Sequence, residues 1–318
     1  MNTQGYRSET EVVFRETEAP YSENTTRRKI AKALSSSSSR CKDDDDEPQL
    51  CRIIGGAPVD AGVFEWNVAL RRILPGRRIG NHFCGGTLLS HQWVVTAAHC
   101  VDSGITPSEI AIILHGNHSN YTRPEAEVLS PDAIHYHFYN GVSRDVALLH
   151  IEQTMHGVEI LSRVTPLCLP SQNADFVGAY CVITGSGIQN DGTQPRTLRY
   201  VPMPVLQPEY CARFVGERAV AEGMMCAGQL GKQQGACFGD SGGPLQCTFD
   251  HHVWFLAGVI SRGDCYRTHQ LPLVLTSASA LAQWILHVIG DSHVQNPLWN
   301  AAPNVLNQVT APQLYWKL

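Results

Sequence analysis

Eleven cysteines constrain this chain more than any other feature. They stand at positions 41, 51, 84, 100, 168, 181, 211, 226, 237, 247 and 265 of 318 residues. No two form a Cys-x-x-Cys pair, so the spacing does not suit a compact zinc site. Scattered cysteines in this number suit disulfides made in an oxidising compartment. The count is odd, so one thiol is left over or pairs with another chain. Asn-x-Ser/Thr sequons at Asn24, Asn117 and Asn120 agree with a secreted protein. The first twenty residues, MNTQGYRSETEVVFRETEAP, lack the apolar stretch of a signal peptide. The expectation is that the true start lies upstream.

Hydrophobic residues make up 43% of the chain and charged ones 17%, so most of it can bury a core. A net charge of −5 and a pI near 6.3 argue against a nucleic-acid partner, which favours a basic face. No run of 18 apolar residues exists, so no membrane-spanning helix is expected. Residues 1–50 are polar, with Ser35 to Ser39 and then the acidic run Asp43 to Glu47. Such runs bury too little apolar surface to order themselves. From Ile53 the character changes. NVALRRIL, GGTLLS, WVVTAAHC, EIAIIL, DVALLHI, AYCVITG, GPLQC and VWFLAGVIS read as strands between Gly, Pro and Asn. One helix pattern is clear, SASALAQWILHVIG. There Leu281, Trp284, Ile285, Val288 and Ile289 share a face, and Gly290 is a stop. Many short strands and one late helix predict an all-β barrel or sandwich. The chain divides into a low-complexity segment 1–52, a domain 53–290 and an extension 291–318.

Three short segments carry chemistry. TAAHC holds His99, RDVALLHI holds Asp145 and GDSGGP holds Ser241. A serine hydroxyl is a poor nucleophile at neutral pH, so a base must take its proton. Histidine titrates in the right range for that task. A carboxylate, here Asp145, fixes the imidazole tautomer and stabilises the imidazolium. The oxyanion of a tetrahedral intermediate needs backbone N–H donors, which Gly239 and Ser241 can supply. The order His, Asp, Ser is the chymotrypsin-type order.

With these segments, the chain resembles the trypsin/chymotrypsin family of serine proteases from Ile53 to Gly290. The likeness rests on IIGG at 53–56, CGGTLLSHQWVVTAAHC at 84–100, DVALL at 145–149 and CFGDSGGPLQC at 237–247. It implies two six-stranded antiparallel β-barrels, with the site in the cleft between them and a C-terminal α-helix. It implies the disulfides Cys84–Cys100, Cys181–Cys247, Cys211–Cys226 and Cys237–Cys265. Cys168 would tether a cleaved propeptide through Cys41 or Cys51. Cys41 is preferred, because Cys51 adjoins the cut site, and Cys51 is then the odd thiol, open to a second chain. No cofactor or metal is implied, and a secreted monomer acting on proteins or peptides is expected.

The resemblance also implies a zymogen. Cutting after Arg52 by a trypsin-like protease would free the Ile53 amine to pair with Asp240. A buried charge needs its partner, so the oxyanion loop would stay disordered until the cut. An amine with a carboxylate partner has a raised pKa, so activity should fail in alkali, above the free amine's value of about 8. Gly235 stands where trypsin-like members carry a pocket-floor aspartate. Gly235 and Ala236 offer no charge, so cleavage after Lys or Arg is not expected. Ser261, Arg262 and Gly263 match a pocket wall, and Leu273 would shorten the pocket toward small or medium apolar groups. Arg262, where the family often has Trp, puts a positive charge on the substrate groove. The alternative is a protease-like binding protein without turnover. The retained His99, Asp145, Ser241, Asp240 and Arg52–Ile53 argue for the enzyme.

Overall fold

The structure, a computed structural model, describes residues 53–290 apart from 55, 61, 103, 115–127, 153 and 188–196. Arg52, Cys41, Cys51, Asn24, Asn117 and Asn120, with the segments 1–52 and 291–318, lie outside the described residues.

After a short β1 (Ala57–Pro58), the chain builds one sheet from β2 (Asn67–Leu74), β3 (Arg78–Ser90), β4 (Trp93–Thr96), β5 (Ile110–Leu114), β6 (Val128–Leu129), β7 (Pro131–Tyr136) and β8 (Ala147–Ile151). Their order is β6-β5-β2-β3-β4-β8-β7, all antiparallel. Only Ser130 separates β6 from β7, and β6 pairs with β5 while β7 pairs with β8. The two act as one bent strand that closes a barrel of six.

The second sheet uses β9 (Tyr180–Gly185), β10 (Arg199–Pro202), β11 (Met224–Ala227), β12 (Pro244–Thr248), β13 (Phe255–Arg262) and β14 (Leu273–Ser277), in the order β1-β10-β9-β12-β13-β14-β11. Val205, just past β10, pairs with Ala227 of β11 and completes the ring. Here β1 is a seventh strand laid on the edge of β10. The implied pair of six-stranded barrels is therefore present, with one added edge strand.

The predicted strands fall within or across these elements, because alternating Val, Ile and Leu bury one face of each. Helices are more numerous than the pattern suggests. α1 (Ala98–Val101), α2 (Met155–Leu161), α3 (Pro208–Val215) and α4 (Glu217–Ala221) are one or two turns each, too short to display a 3.6-residue period. The predicted terminal helix is α5 (Ala282–Gly290). It buries Ala282, Ile285 and Ile289, with Leu281 just before it, in the core of the first barrel and rests Trp284 on His137, ring centroids 4.8 Å apart.

The barrels meet across a buried polar chain. Trp66 Nε1 donates to Gln246 Oε1 at 2.7 Å, and Gln246 Nε2 donates to Thr184 Oγ1 at 3.1 Å. Thr184 Oγ1 donates to Asn67 Oδ1 at 2.6 Å, and Asn67 Nδ2 donates to the Phe64 carbonyl at 2.9 Å. Each bond depends on the next, so the relative position of the barrels is directional as well as greasy. Gln246→Leu conserves size but strands the Trp66 N–H. It should lower the unfolding free energy by about 2 kcal/mol or more, read by urea denaturation. Thr184→Val should cost less in that background than in the wild type.

Candidate active site

β4 ends at Thr96, and the single turn α1 lifts His99 out of the first barrel. Asp145 sits just before β8, 2% exposed. Its Oδ1 accepts the His99 backbone N–H at 2.9 Å, and its Oδ2 lies 2.6 Å from His99 Nδ1. A third donor comes from the other barrel: Ser261 Oγ, in β13, reaches Oδ2 at 2.6 Å. Thr276 Oγ1, in β14, also donates to the Asp145 carbonyl at 3.0 Å. Burial alone would raise the Asp145 acid. Hydrogen bonds from His99 and Ser261 and the charge on His99 outweigh it, and the carboxyl lies below its ordinary value. With Nδ1 turned to the carboxylate, His99 Nε2 is the ring nitrogen left for a substrate or nucleophile.

Ser241 lies half-buried in the loop between Cys237 and β12. That loop is held by two backbone bonds of its own, Asp240 N–H to the Cys237 carbonyl and Gly243 N–H to the Asp240 carbonyl, both at 3.0 Å, and by one to β13, Gly242 N–H to the Ile260 carbonyl at 2.7 Å. Among the described residues, no hydrogen bond engages the N–H of Gly239 or of Ser241. Gly239 has φ +91°, open to glycine alone at low cost, and a β-carbon there would press on His82. His82 Nε2 lies 2.8 Å from the Gly239 carbonyl. Burial lowers His82 to about 4, against that hydrogen bond, so the ring is neutral and donates from Nε2. Ser241 Oγ makes no hydrogen bond to His99 Nε2 in this structure. Such contacts commonly tighten only in the complex with substrate.

Asp240 is 1% exposed. Its carboxylate accepts from Gly187 N–H at 2.8 Å and Cys237 N–H at 2.9 Å. Burial pushes it up to about 6, against those two bonds. No cation pairs with it among the described residues. A β-carbon on Gly187 would stand 2.7 Å from Asp240 Oδ1, so only glycine leaves room for the buried acid.

Gly235, Ala236, Gly263 and Leu273 line one small cavity, together with Thr268. Its volume is about 10 Å³, about room for one water. Two side chains close it. A β-carbon on Gly263 would stand 2.9 Å from Leu273 Cδ1, and one on Gly235 would stand 2.8 Å from Thr268 Cγ2. Ser261 and Arg262 do not line this cavity. Ser261 supports Asp145 instead, and Arg262 Nη1 donates to the Val142 carbonyl at 2.7 Å. Sequence reasoning had no signal for Thr268, for His82 or for the double role of β13, whose alternating sides serve the acid and the groove.

The four implied disulfides, Cys84–Cys100, Cys181–Cys247, Cys211–Cys226 and Cys237–Cys265, are all formed. Cys168 belongs to none of them, and its two expected partners lie outside the described residues. Among the described residues, one trio comes close enough to hold a metal, Cys84, His99 and Cys100. Its sulfurs are joined to each other, which removes them as thiolate ligands.

A depressed acid contributes stability that is present above the ordinary aspartate value of about 3.9 and is lost as pH falls through its folded value. Asp145→Asn, in a Ser241→Ala background, should therefore be most destabilising near neutral pH. The gap to the parent should narrow below about pH 4, measured by denaturant unfolding at pH 7 and pH 3.

A model of the Trypsin family matches residues 53–285. That span runs from Ile53, which packs in the core of the second barrel, into α5, and it takes in His99, Asp145 and Ser241. The chain therefore belongs to the trypsin family of serine proteases.

Proposed function

We propose that this chain is a secreted endopeptidase made as an inactive precursor, cleaving after small uncharged residues by an acyl-enzyme route. Ser241 Oγ attacks the peptide carbonyl while His99 Nε2 takes its proton. The oxyanion accepts from the N–H groups of Gly239 and Ser241. His99 then gives the proton to the departing amine, and a water repeats the cycle on the acyl-enzyme. Asp145 holds the ring throughout and balances its transient charge. The observation that carries this reading is the 2.6 Å contact between His99 Nδ1 and Asp145, which leaves Nε2 for the nucleophile.

Two features support activation by cutting Arg52–Ile53. Ile53 is 5% exposed and Ile54 makes two backbone bonds with Gly235, at 3.0 and 3.1 Å. The residues after the cut thus already pack in the second barrel of the uncut chain, and the loop at Asp240 is ordered there, in contrast to the disorder expected before cutting. Ile53 also has φ +32°, an outlier for a β-branched residue. That torsion needs the carbonyl of residue 52, so cutting releases its strain, of about 1–3 kcal/mol. Asp240 supplies the second feature. Its raised acid favours burial when protonated, and that contribution is lost as pH rises through about 6. A new ammonium at Ile53 would restore it. The activator is a trypsin-like protease, the substrates are proteins or peptides, and the enzyme acts as a monomer. Cys41 tethers the propeptide to Cys168, Cys51 is free for a second chain, and Asn117 and Asn120 carry glycans.

The pocket supports cleavage after Gly, Ala or Ser. Leu273 and Thr268 leave no room for a long side chain, and Gly235 and Ala236 offer no counter-charge to Lys or Arg.

Protein cut at Arg52–Ile53 by trypsin, then freed of trypsin, should gain one fluorophosphonate adduct by intact mass. The adduct should be absent from uncut protein and from Ser241→Ala. Absence from correctly cut, folded wild type would leave a binding protein in place of an enzyme. Leu273→Gly should open the pocket. Preference between a Leu and an Ala peptide should move toward Leu by about tenfold or more, read as a ratio of kcat/KM.

A further inference from the structure

Arg262 is the last residue of β13, one step beyond Ser261, and its side chain is exposed. Ser261 touches the acid that holds His99. Arg262 reaches in the other direction, across the cleft between the barrels. Its Nη1 donates to the carbonyl of Val142, in the loop that leads to Asp145. One edge of the guanidinium is thereby fixed against the first barrel.

That bond uses one of the five N–H donors that a guanidinium carries. Among the described residues, no ion pair and no other hydrogen bond engages Arg262. The nearest acid along the chain, Asp264, is neutralised by Arg267. At the loop of Val142, Glu222 accepts from Asn140 and Ser143 and pairs with Arg218 at 2.9 Å. Arg262 is therefore an unpaired cation, held in one orientation, within two residues of the support for the triad. A fixed guanidinium with a free fork matches a carboxylate, because the geometry is bidentate and little rotamer freedom remains to be lost.

We propose that Arg262 is a specificity-determining residue which selects an Asp or Glu in the substrate, two or three residues before the cleaved bond. This rests on the protease reading above. The residue that occupies the small cavity between Gly263 and Leu273 provides the reacting carbonyl. The chain before it must run past the adjoining end of β13. An extended peptide advances about 3.3 Å per residue, so its second or third residue comes within reach of the guanidinium. The bond to Val142 does not block this. It fixes one edge of the guanidinium against the loop at Val142 and leaves the other donors for an anion. The substrate class is then a peptide with a small residue at the cut and an acid just before it.

The test uses cut, active protein and peptides with Ala at the cut position. Asp, Ala or Lys is placed in turn at each of the three positions before it and the two after it. Wild type should favour Asp over Ala by about fivefold at the second or third position before the cut, and over Lys by about twentyfold. The preference should shrink in 1 M salt. Arg262→Gln should flatten it, and Arg262→Glu should reverse it in favour of Lys. An acid preference that survives both variants, or that is absent from wild type, overturns the proposal. The same peptides are titrated onto Ser241→Ala by fluorescence anisotropy. There the Asp-over-Lys ratio of Kd should again vanish in Arg262→Gln. Failure of the fluorophosphonate test would sink the enzyme reading and leave this binding ratio to decide the role of Arg262.

Discussion

One buried carboxylate organises this molecule. Asp145 has lost nearly all its water, and a bare carboxylate in such a place costs several kcal/mol. Its three hydrogen bonds come from both barrels: two from His99 in the first and one from Ser261 in the second. Each donor is useful only if the barrels are docked in one way. The anion therefore ties the geometry of the cleft to the stability of the fold. The Trp66–Gln246–Thr184–Asn67 chain makes the same demand deeper in the interface. The site is a product of the docking, and no single barrel contains it.

A second buried carboxylate shows what incomplete satisfaction does. Asp240 has two N–H donors and no cation, and its acid rises to about 6 where that of Asp145 falls. Both groups are almost fully enclosed, so the difference lies in their partners. Asp145 faces a histidine and a hydroxyl, whereas Asp240 faces two amides in a cradle shaped by Gly187. That deficit is the ground on which a new amine at Ile53 is proposed as the partner of Asp240. The torsion at Ile53 adds strain on the same side of the balance.

The cavity is less ordinary than the His99–Asp145 pair. Leu273 and Thr268 narrow the small cavity lined by Gly235 and Gly263, while Arg262, outside that lining, is bound to the Val142 carbonyl. On the proposed reading, recognition then depends on charge beside the cavity as well as on the size of one residue. Dense packing makes such changes sharp, because a methyl group in a cavity that holds one water leaves no slack.

Much of this was legible in the residues. The spacing of Val, Ile and Leu marked the long strands and α5, and the His, Asp, Ser segments with their cysteines identified the family. The helices α1 to α4 were not legible, since a turn or two displays no period. Nor were β7 and β14, whose edges and Pro flanks blur the alternation. Ser261 read as pocket wall because sequence carries no information about which side of a strand faces which neighbour. Thr268 and the Arg262–Val142 bond were hidden for the same reason: residues 142 and 262 are joined only by the closure of two barrels. The sequence by itself determined an all-β class and the candidate reactive groups, because local pattern and side-chain chemistry suffice for those, while the two barrels and the four cross-links were implied only by the family resemblance. The tertiary structure alone decided how two aspartates came to opposite acidities, how small the pocket is, and where the arginine points. Those depend on distances across an interface that no local stretch encodes.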